Sequence, residues 1–480
     1  ATWTPTSRVS ICIPAHNPTN LTRVLDALAL QTYPTDMIEV SIADDGSEPP
    51  VVAPDGYPFP IVVTRMERTL QFGAGKGRNG AARAASGDLL VFLDADIVPE
   101  RQVVASYARW FVDRPDVMVM GLCRFADMEE LSDDEFRALV SAGGLEVHFA
   151  GKEVDDQEWR ENTFRRTDDL RIEANDAFRI VIGATFAVSA EQYRAVGGFR
   201  ELGIRGIEDT EFGHRVHANG AVLVLDRDAV HWHQGRRNMN LDRKEQIRVE
   251  REPYVERLIP VRGFRRTPPD PLDAPVHTVP RMIIHVAGDE ARVQSVRELA
   301  EADHLVLGAD EPAVAPDGMP FVAAFGRLWL PDDVTVTERT FTQIVRELER
   351  HTTGVVQIHG PGGRRVVAMR TRVLRRACAD AGVDPDRWPT DQLVDAAVAS
   401  FGTWHTATSA AEIGWAGVEV DEPAHDDAAA GQALHARLTV ELQQRRRTVK
   451  KQIRRLSGSM QARRTSVEHR IEALLRRMTR

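Results

Sequence analysis

Two aspartates, Asp94 and Asp96, sit one residue apart in LLVFLDADIVPE (Leu89 to Glu100), directly behind a strongly apolar run. If the strand geometry carries through them, both carboxylates project from one face and repel. A divalent cation bridging to phosphate oxygens would remove that repulsion, because hard cations take carboxylate and phosphate ligands together. Most D-x-D pairs are merely solvated turns; the LLVFL strand in front makes this one more telling.

Other residues offer complementary chemistry. GIEDTEFGHRV (Gly206 to Val216) opens a helix with Glu208 and Asp209. They are either carboxylates favoured by the helix dipole or a general base for an acceptor hydroxyl. AVHWHQG (Ala229 to Gly235) puts His231 and His233 on one face of an extended segment. Lone histidines usually pack, but one beside an Asp pair is a candidate metal ligand. In DDGS (44–47), Asp45 and Ser47 close a turn, or Asp45 accepts the N–H of a base.

GAGKGRNG (Gly73 to Gly80) carries the spacing Gly75-x-Gly77-x-x-Gly80, with Asp94 downstream. A dinucleotide-binding reading is therefore a rival. Against it, six residues separate the strand PIVVTRM from the first glycine, and the acidic position is a pair where a ribose needs one carboxylate. A phosphate P-loop fails because Lys76 is followed by Gly. The remaining readings are a flexible loop, or a segment in which Lys76, Arg78 and Asn79 meet a nucleotide.

These residues need elements to position them. RVSICIP (Arg8 to Pro14), MIEVSIADD (Met37 to Asp45), PIVVTRM (Pro60 to Met66) and LLVFLDAD read as strands. NLTRVLDALALQ (Asn20 to Gln31), behind an Asn cap, and GAARAAS (Gly80 to Ser86) read as helices. This rhythm predicts an α/β fold with a doubly wound, mostly parallel sheet. Ligands sit at the carboxyl ends of such strands, so AHN (15–17), DDGS and DAD should meet in one crevice.

Together these segments resemble the inverting nucleotide-sugar glycosyltransferases of family two, with the GT-A fold, which include bacterial glycan and wall-polymer transferases and chondroitin-type synthases. The resemblance covers roughly Arg8 to Arg237, through VSICIPAHN, QTYPTDMIEVSIADDGS, GKGRNGAARAASGDLLVFLDADIVPE, FAVSAEQYRAVGGFRE, GIEDTEFGHRV and VHWHQG. It implies that Pro14, Ala15, His16 and Asn17 line a uridine pocket and that Asp45 holds the base. Arg78 and Asn79 would flank the nucleotide, and Asp94 to Asp96, with Ala95 between, would hold the ribose and a metal diphosphate. The metal, Mn²⁺ or Mg²⁺, would rest on Asp96 and His231, with His233 the weaker choice. Asp209 would be the general base with Glu208 as helper. His16 stands where the family often has Tyr. The implied reaction moves a hexosyl or N-acetylhexosaminyl group from a UDP-sugar to a glycan, wall-polymer or lipid-linked acceptor. The alternatives are an NAD(P)-dependent oxidoreductase using Gly75 to Gly80 and a non-catalytic glycan-binding protein.

The 480 residues suggest more than one core, divided as a catalytic domain at 1–264, a Pro-rich linker at 265–280, an accessory α/β domain at 281–425 and a helical tail at 431–480. The accessory part reads as a worn copy of the first. MIIHVA, EARVQSVRELAEA and HLVLGAD echo SICIPA, NLTRVLDALALQ and VSIADD, VVAMRTRVLRRA resembles TFAVSAEQYRAV, and TDQLVDAAV lies against EDTEFGHRV. RLWLPDD falls where LDADIVPE should be, with Leu328 in place of Asp96, so this copy is expected to be non-catalytic.

Three dispersed cysteines argue against a disulfide framework or zinc knuckle. With no apolar run long enough to span a bilayer and no signal region, the expectation is a cytoplasmic protein, in peripheral contact with the inner membrane face at most. From Gly431 on, fourteen Lys or Arg face three Glu; with the whole chain at −10, the preceding 430 residues carry −21. That body argues against nucleic acid. Val449, Ile453, Leu456 and Met460, then Val467, Ile471, Leu474 and Met478, give the tail a helical stripe. It suits a homo-oligomeric coiled coil or a basic helix on an anionic membrane.

Overall fold

Strands β1 (Val9–Ala15), β2 (Ile38–Asp45), β3 (Ile61–Met66) and β4 (Leu89–Leu93) form as expected, each within one residue or so of its apolar run. A computed structural model describes residues 4–415, apart from 70–72, 113, 156, 205, 236–243, 266–277, 302, 309–310, 312–322, 350–353, 360–364, 386–387, 402–403 and 407–412. Most of the expected linker, and the whole 431–480 tail with its oligomer and membrane readings, lie outside the described residues.

The first sheet continues through β5 (Ile97–Pro99), β6 (Val117–Ala126), β7 (Glu153–Asp155), β8 (Thr185–Ser189) and β9 (Val222–Gln234). Its order is β3-β2-β1-β4-β8-β6-β9-β5, with β7 on β6. The run β3-β2-β1-β4 is parallel, β8 runs against both β4 and β6, and β6 and β9 are parallel. The α/β class is as expected, with a sheet that turns mixed beyond β4. Every residue of β4 is buried because both faces are covered, Phe92 packing in one core cluster and Val91 and Leu93 in the other.

β4 stops at Leu93. Asp94 to Asp96 form a turn, closed by Ile97 N–H donating to Asp94 O at 3.1 Å, before the chain resumes as β5. The two aspartates are thus carried on a turn rather than on one strand face, and each can be aimed separately.

The glycine-rich stretch is not a loop but the opening of helix Ala74–Ala84, with Gly75, Gly77 and Gly80 buried inside it. A Cβ at Gly77 would lie 2.7 Å from Pro14 Cβ, and one at Gly80 would lie 2.3 Å from Met66 Sδ. These glycines let the helix press onto the ends of β1 and β3. A dinucleotide fingerprint keeps its first glycines in the turn before the helix, so the spacing here has a different cause.

A second sheet runs, in spatial order, His304–Gly308, Met282–Val286, Gly326–Leu330, Arg365–Arg370, Val355–His359 and Trp404–Thr406. Its first three strands are parallel, the fourth runs against both neighbours, and the sixth is parallel to the fifth. This is the order and direction of β2-β1-β4-β8-β6-β9. Counting from the strand ends Leu93 and Leu330, Asp94 corresponds to Pro331 and Asp96 to Asp333, and the short strands Ile97–Pro99 and Val334–Val336 follow at equal distance. The counterpart of Asp96 is therefore Asp333 and not Leu328, which lies buried mid-strand; the carboxylate lost is that of Asp94. The carboxyl-end crevice of this sheet is bridged by Arg292, which donates to Ala287 O (2.8 Å), Pro331 O (2.6 Å) and Val334 O (2.6 Å).

Residues 1–416 form one compact unit. Within it Arg370 Nη1 donates to Asn175 Oδ1 at 2.6 Å, and Asn175 Nδ2 to Glu349 O at 2.9 Å. Among the described residues no helix is long and apolar enough to cross a membrane.

Candidate active site

The centre of the site is Arg78. Helix Ala74–Ala84 turns it toward the end of β4, where it is 3% exposed, and it reaches Asp94 Oδ1 through Nη2 at 2.9 Å and Glu208 Oε1 through Nη1 at 3.3 Å. A Cβ at Gly183 would fall 2.1 Å from Arg78 Cζ, so only glycine leaves room for the guanidinium. Burial works against its charge, but Asp94, Glu208 and Asp209 hold it more firmly protonated than usual. One cation thus joins the DAD turn to helix Glu208–Ala218.

The two acids of that helix differ. Glu208 is buried and fully engaged: Oε2 accepts Gly206 N–H (2.7 Å) and Ile207 N–H (2.9 Å), and Oε1 faces Arg78. Asp209 is half-buried, accepting Thr210 N–H at 2.7 Å and Gly183 N–H at 3.2 Å. Burial and then the neighbouring charge of Glu208 push its pKa up to about 6, against the pull of Arg78. A carboxylate near that value accepts protons well at neutral pH.

Asp96 turns the other way. Its Oδ2 stands 3.3 Å from His233 Nε2, and both side chains are partly open. The ring is aligned by His233 Nδ1 against Gly235 O at 3.1 Å. Burial opposes the imidazolium, but the hydrogen bond and charge of Asp96 raise its pKa above the usual value. Gln234, which the sequence did not single out, fixes this turn through its backbone N–H on Asp96 O at 3.1 Å. His231 does not reach the site. It is on the same face of β9 but fully buried, with Nε2 3.3 Å from Tyr107 Oη and Nδ1 3.3 Å from Leu122 O, and burial lowers its pKa to about 3. Two residues along a strand move a side chain about 7 Å, enough to put His231 inside the core and His233 at its rim.

Around the ends of β1 and β2, Asp44 rather than Asp45 closes the turn: it accepts Ser47 N–H (2.8 Å) and Val51 N–H (3.1 Å) and pairs with Arg65. These hydrogen bonds and Arg65 hold Asp44 at a pKa of about 2, against its own burial. Asp45 is left with a buried Oδ1 that has no hydrogen-bond partner among the described residues, and Lys76 Nζ lies 3.6 Å away. His16 Nδ1 meets Asp45 O at 2.9 Å. Asn17, at φ 46°, donates its backbone N–H to Ser47 Oγ (2.8 Å), and its Oδ1 accepts Glu48 N–H (2.8 Å). Pro14 packs under Gly77, and Ala15 and Ala95 border the core. Asn79 faces away from the crevice. Its amide donates to Phe199 O (2.8 Å) and Glu201 Oε1 (2.9 Å) and accepts from Tyr193 Oη (2.6 Å) and Phe199 N–H (2.8 Å). With all four positions filled, Asn79 anchors the GGFRE segment and has none left for a nucleotide.

Residues 10–189 match the family model described as glycosyl transferase family 2. This part of the chain is a family 2 glycosyltransferase domain. Similar proteins include the chondroitin synthase of Pasteurella multocida, 25% identical over 307 residues that make up 58% of this chain and 30% of the synthase. The validoxylamine A glucosyltransferase of Streptomyces hygroscopicus subsp. jinggangensis is 30% identical over 235 residues, 46% of this chain and 54% of that protein. The chain spans about a third or less of the length of the chondroitin and hyaluronan synthases it matches. Among solved structures, a mannosyltransferase from Pyrobaculum calidifontis in complex with GDP-Man and Mn²⁺ covers 52% of this chain and 61% of its own at 18% identity, with a TM-score of 0.35, too low to establish a shared fold by itself. The family 2 match ends at Ser189, so Glu208, Asp209 and His233 lie beyond it and join the domain through Arg78 and Asp96.

Proposed function

We propose that the family 2 domain, completed by helix Glu208–Ala218 and the end of β9, is an inverting, metal-dependent transferase. It moves a hexosyl or N-acetylhexosaminyl group from a UDP-sugar to a hydroxyl of a glycan, wall-polymer or lipid-linked acceptor. One observation carries the reading: Arg78 ties Asp94 to Glu208 and leaves Asp209 as the open carboxylate, with a pKa near 6, beside them. The sugar-transferring relatives named above support it.

Asp209 would take the proton of the attacking hydroxyl, while Glu208 keeps Arg78 in place. A single displacement opposite the departing UDP inverts the anomeric carbon. The buried, hydrogen-bond-free Oδ1 of Asp45 suits the N–H of a uracil ring.

The donors near Asp96 fit a divalent cation. With bonds of about 2.1 Å, adjacent ligands of an octahedral ion stand about 3 Å apart, close to the 3.3 Å between Asp96 Oδ2 and His233 Nε2. His233 therefore replaces His231 in the proposed site, and an oxygen–nitrogen pair favours Mn²⁺ over Mg²⁺. When bound, the ion would neutralise charge on the departing diphosphate.

Residues 281–425 we read as a degenerate, non-catalytic repeat that binds acceptor or partner. The shared strand order, Pro331 in place of Asp94 and the Arg292 bridge support this. Incubating the full chain with a panel of UDP-sugars and hydroxyl acceptors tests the proposal. Inverted product whose formation stops with EDTA supports it; turnover of NAD(P) with EDTA present would replace it with the oxidoreductase reading. Tight UDP binding without turnover across the panel, with Asp209→Asn no different from wild type, would favour a binding protein.

A further inference from the structure

We propose that Glu301, Asp303 and His304 form a second divalent-cation site, separate from Asp96 and suited to a first-row transition ion such as Zn²⁺. Each side chain offers one ligand atom, and these atoms lie within 4.8 Å of one another. Acidic residues close together mean little alone. The independent observation is His304, whose side chain is 0% exposed although neither ring nitrogen has a hydrogen-bond partner among the described residues. Its Nε2 points at Asp303 Oδ1, 3.4 Å away, and that oxygen is equally buried and unbonded. A buried imidazole nitrogen facing an idle carboxylate oxygen is costly; a cation between Nε2 and Oδ1 satisfies both atoms.

The surroundings leave those atoms for an ion. Arg265 Nη1 takes the other oxygen of Asp303 at 3.3 Å, so Oδ1 is the one presented to His304. Thr342 Oγ1 donates to Glu301 Oε1 at 2.7 Å, orienting the exposed carboxylate in the way outer hydrogen bonds orient metal ligands. Arg281, another cation nearby, is paired with Glu349. An imidazole with two carboxylates selects transition ions over Ca²⁺ and Mg²⁺, which prefer all-oxygen sets. The site lies at the amino end of strand His304–Gly308. It would tie that strand to helix Glu338–Leu348 through Thr342 and to Arg265, at the edge of the segment joining the two sheets.

The test is Zn²⁺ titration of the EDTA-stripped full chain, by calorimetry and by thermal melting, on wild type, Asp96→Ala, Glu301→Gln and His304→Ala. Expected is a Zn²⁺ ion that Asp96→Ala still binds, with a rise in Tm. In the Asp96→Ala background, Glu301→Gln should weaken that ion at least tenfold and His304→Ala should abolish it. Should His304→Ala fail to fold, Glu301→Gln, altering an exposed group, still decides. The proposal is overturned by an Asp96→Ala protein that binds no Zn²⁺, or by Glu301→Gln binding it as tightly as its parent.

Discussion

Arg78 Nη1 stands 3.3 Å from Glu208 Oε1, across 130 residues of chain, and the other end of the guanidinium holds Asp94 at 2.9 Å. Removing this buried cation leaves Asp94, Glu208 and Asp209 to repel one another. Arg78→Ala should lose about 3–5 kcal/mol of stability, read by denaturant unfolding, and all transfer activity. Arg78→Lys should fold but turn over slowly, because a single ammonium lacks the planar fork whose two ends reach Asp94 and Glu208 separately. A fully active Arg78→Ala would show that Arg78 does not organise the site.

Asp209 sets a pH dependence. Its folded pKa of about 6 lies above the ordinary carboxylate value, and the base must be ionised, so kcat/KM should fall about tenfold per pH unit below 6 and level off above it. Asp209→Asn should lower kcat by about 10²–10⁴ and erase that limb. The stability sign is opposite. A raised pKa favours the neutral form in the fold, so the contribution is present at low pH and lost as pH rises through 6. Asp209→Asn should therefore melt higher than wild type at pH 8.

The two histidines of HWH separate cleanly. His233→Ala should weaken Mn²⁺-dependent nucleotide binding at least tenfold, with little change in Tm. His231→Ala, which empties a buried place beside Tyr107, should lower stability by about 1–3 kcal/mol and leave metal affinity intact. The reverse outcome would return the metal to His231.

Gly77 tests the reading of the glycine stretch as packing. Gly77→Ala puts a methyl 2.7 Å from Pro14 Cβ and should cost about 1–3 kcal/mol by overpacking. It should also weaken nucleotide binding, since Pro14 leads into His16 and Asn17. A neutral substitution would show that the helix can move off the strand at no cost.

The strands of the first sheet were legible because runs such as LLVFL bury both faces and leave no other assignment. The acids at the strand ends followed from the same logic. Burial order was not legible: His231 and His233 share a face, and alternation says nothing about which is nearer the rim. Asn79 and Arg78 are chain neighbours pointing in different directions from one helix, and only GGFRE folding back on Asn79 decides which of them faces the crevice. The glycine spacing misled because close helix–strand packing and phosphate approach both demand a missing Cβ.

The decisive measurement is UDP binding by calorimetry, with and without Mn²⁺, on wild type and Asp96→Ala. Binding should strengthen sharply with Mn²⁺ in wild type and lose that dependence in Asp96→Ala. Binding indifferent to Mn²⁺, or unchanged by the substitution, would contradict it.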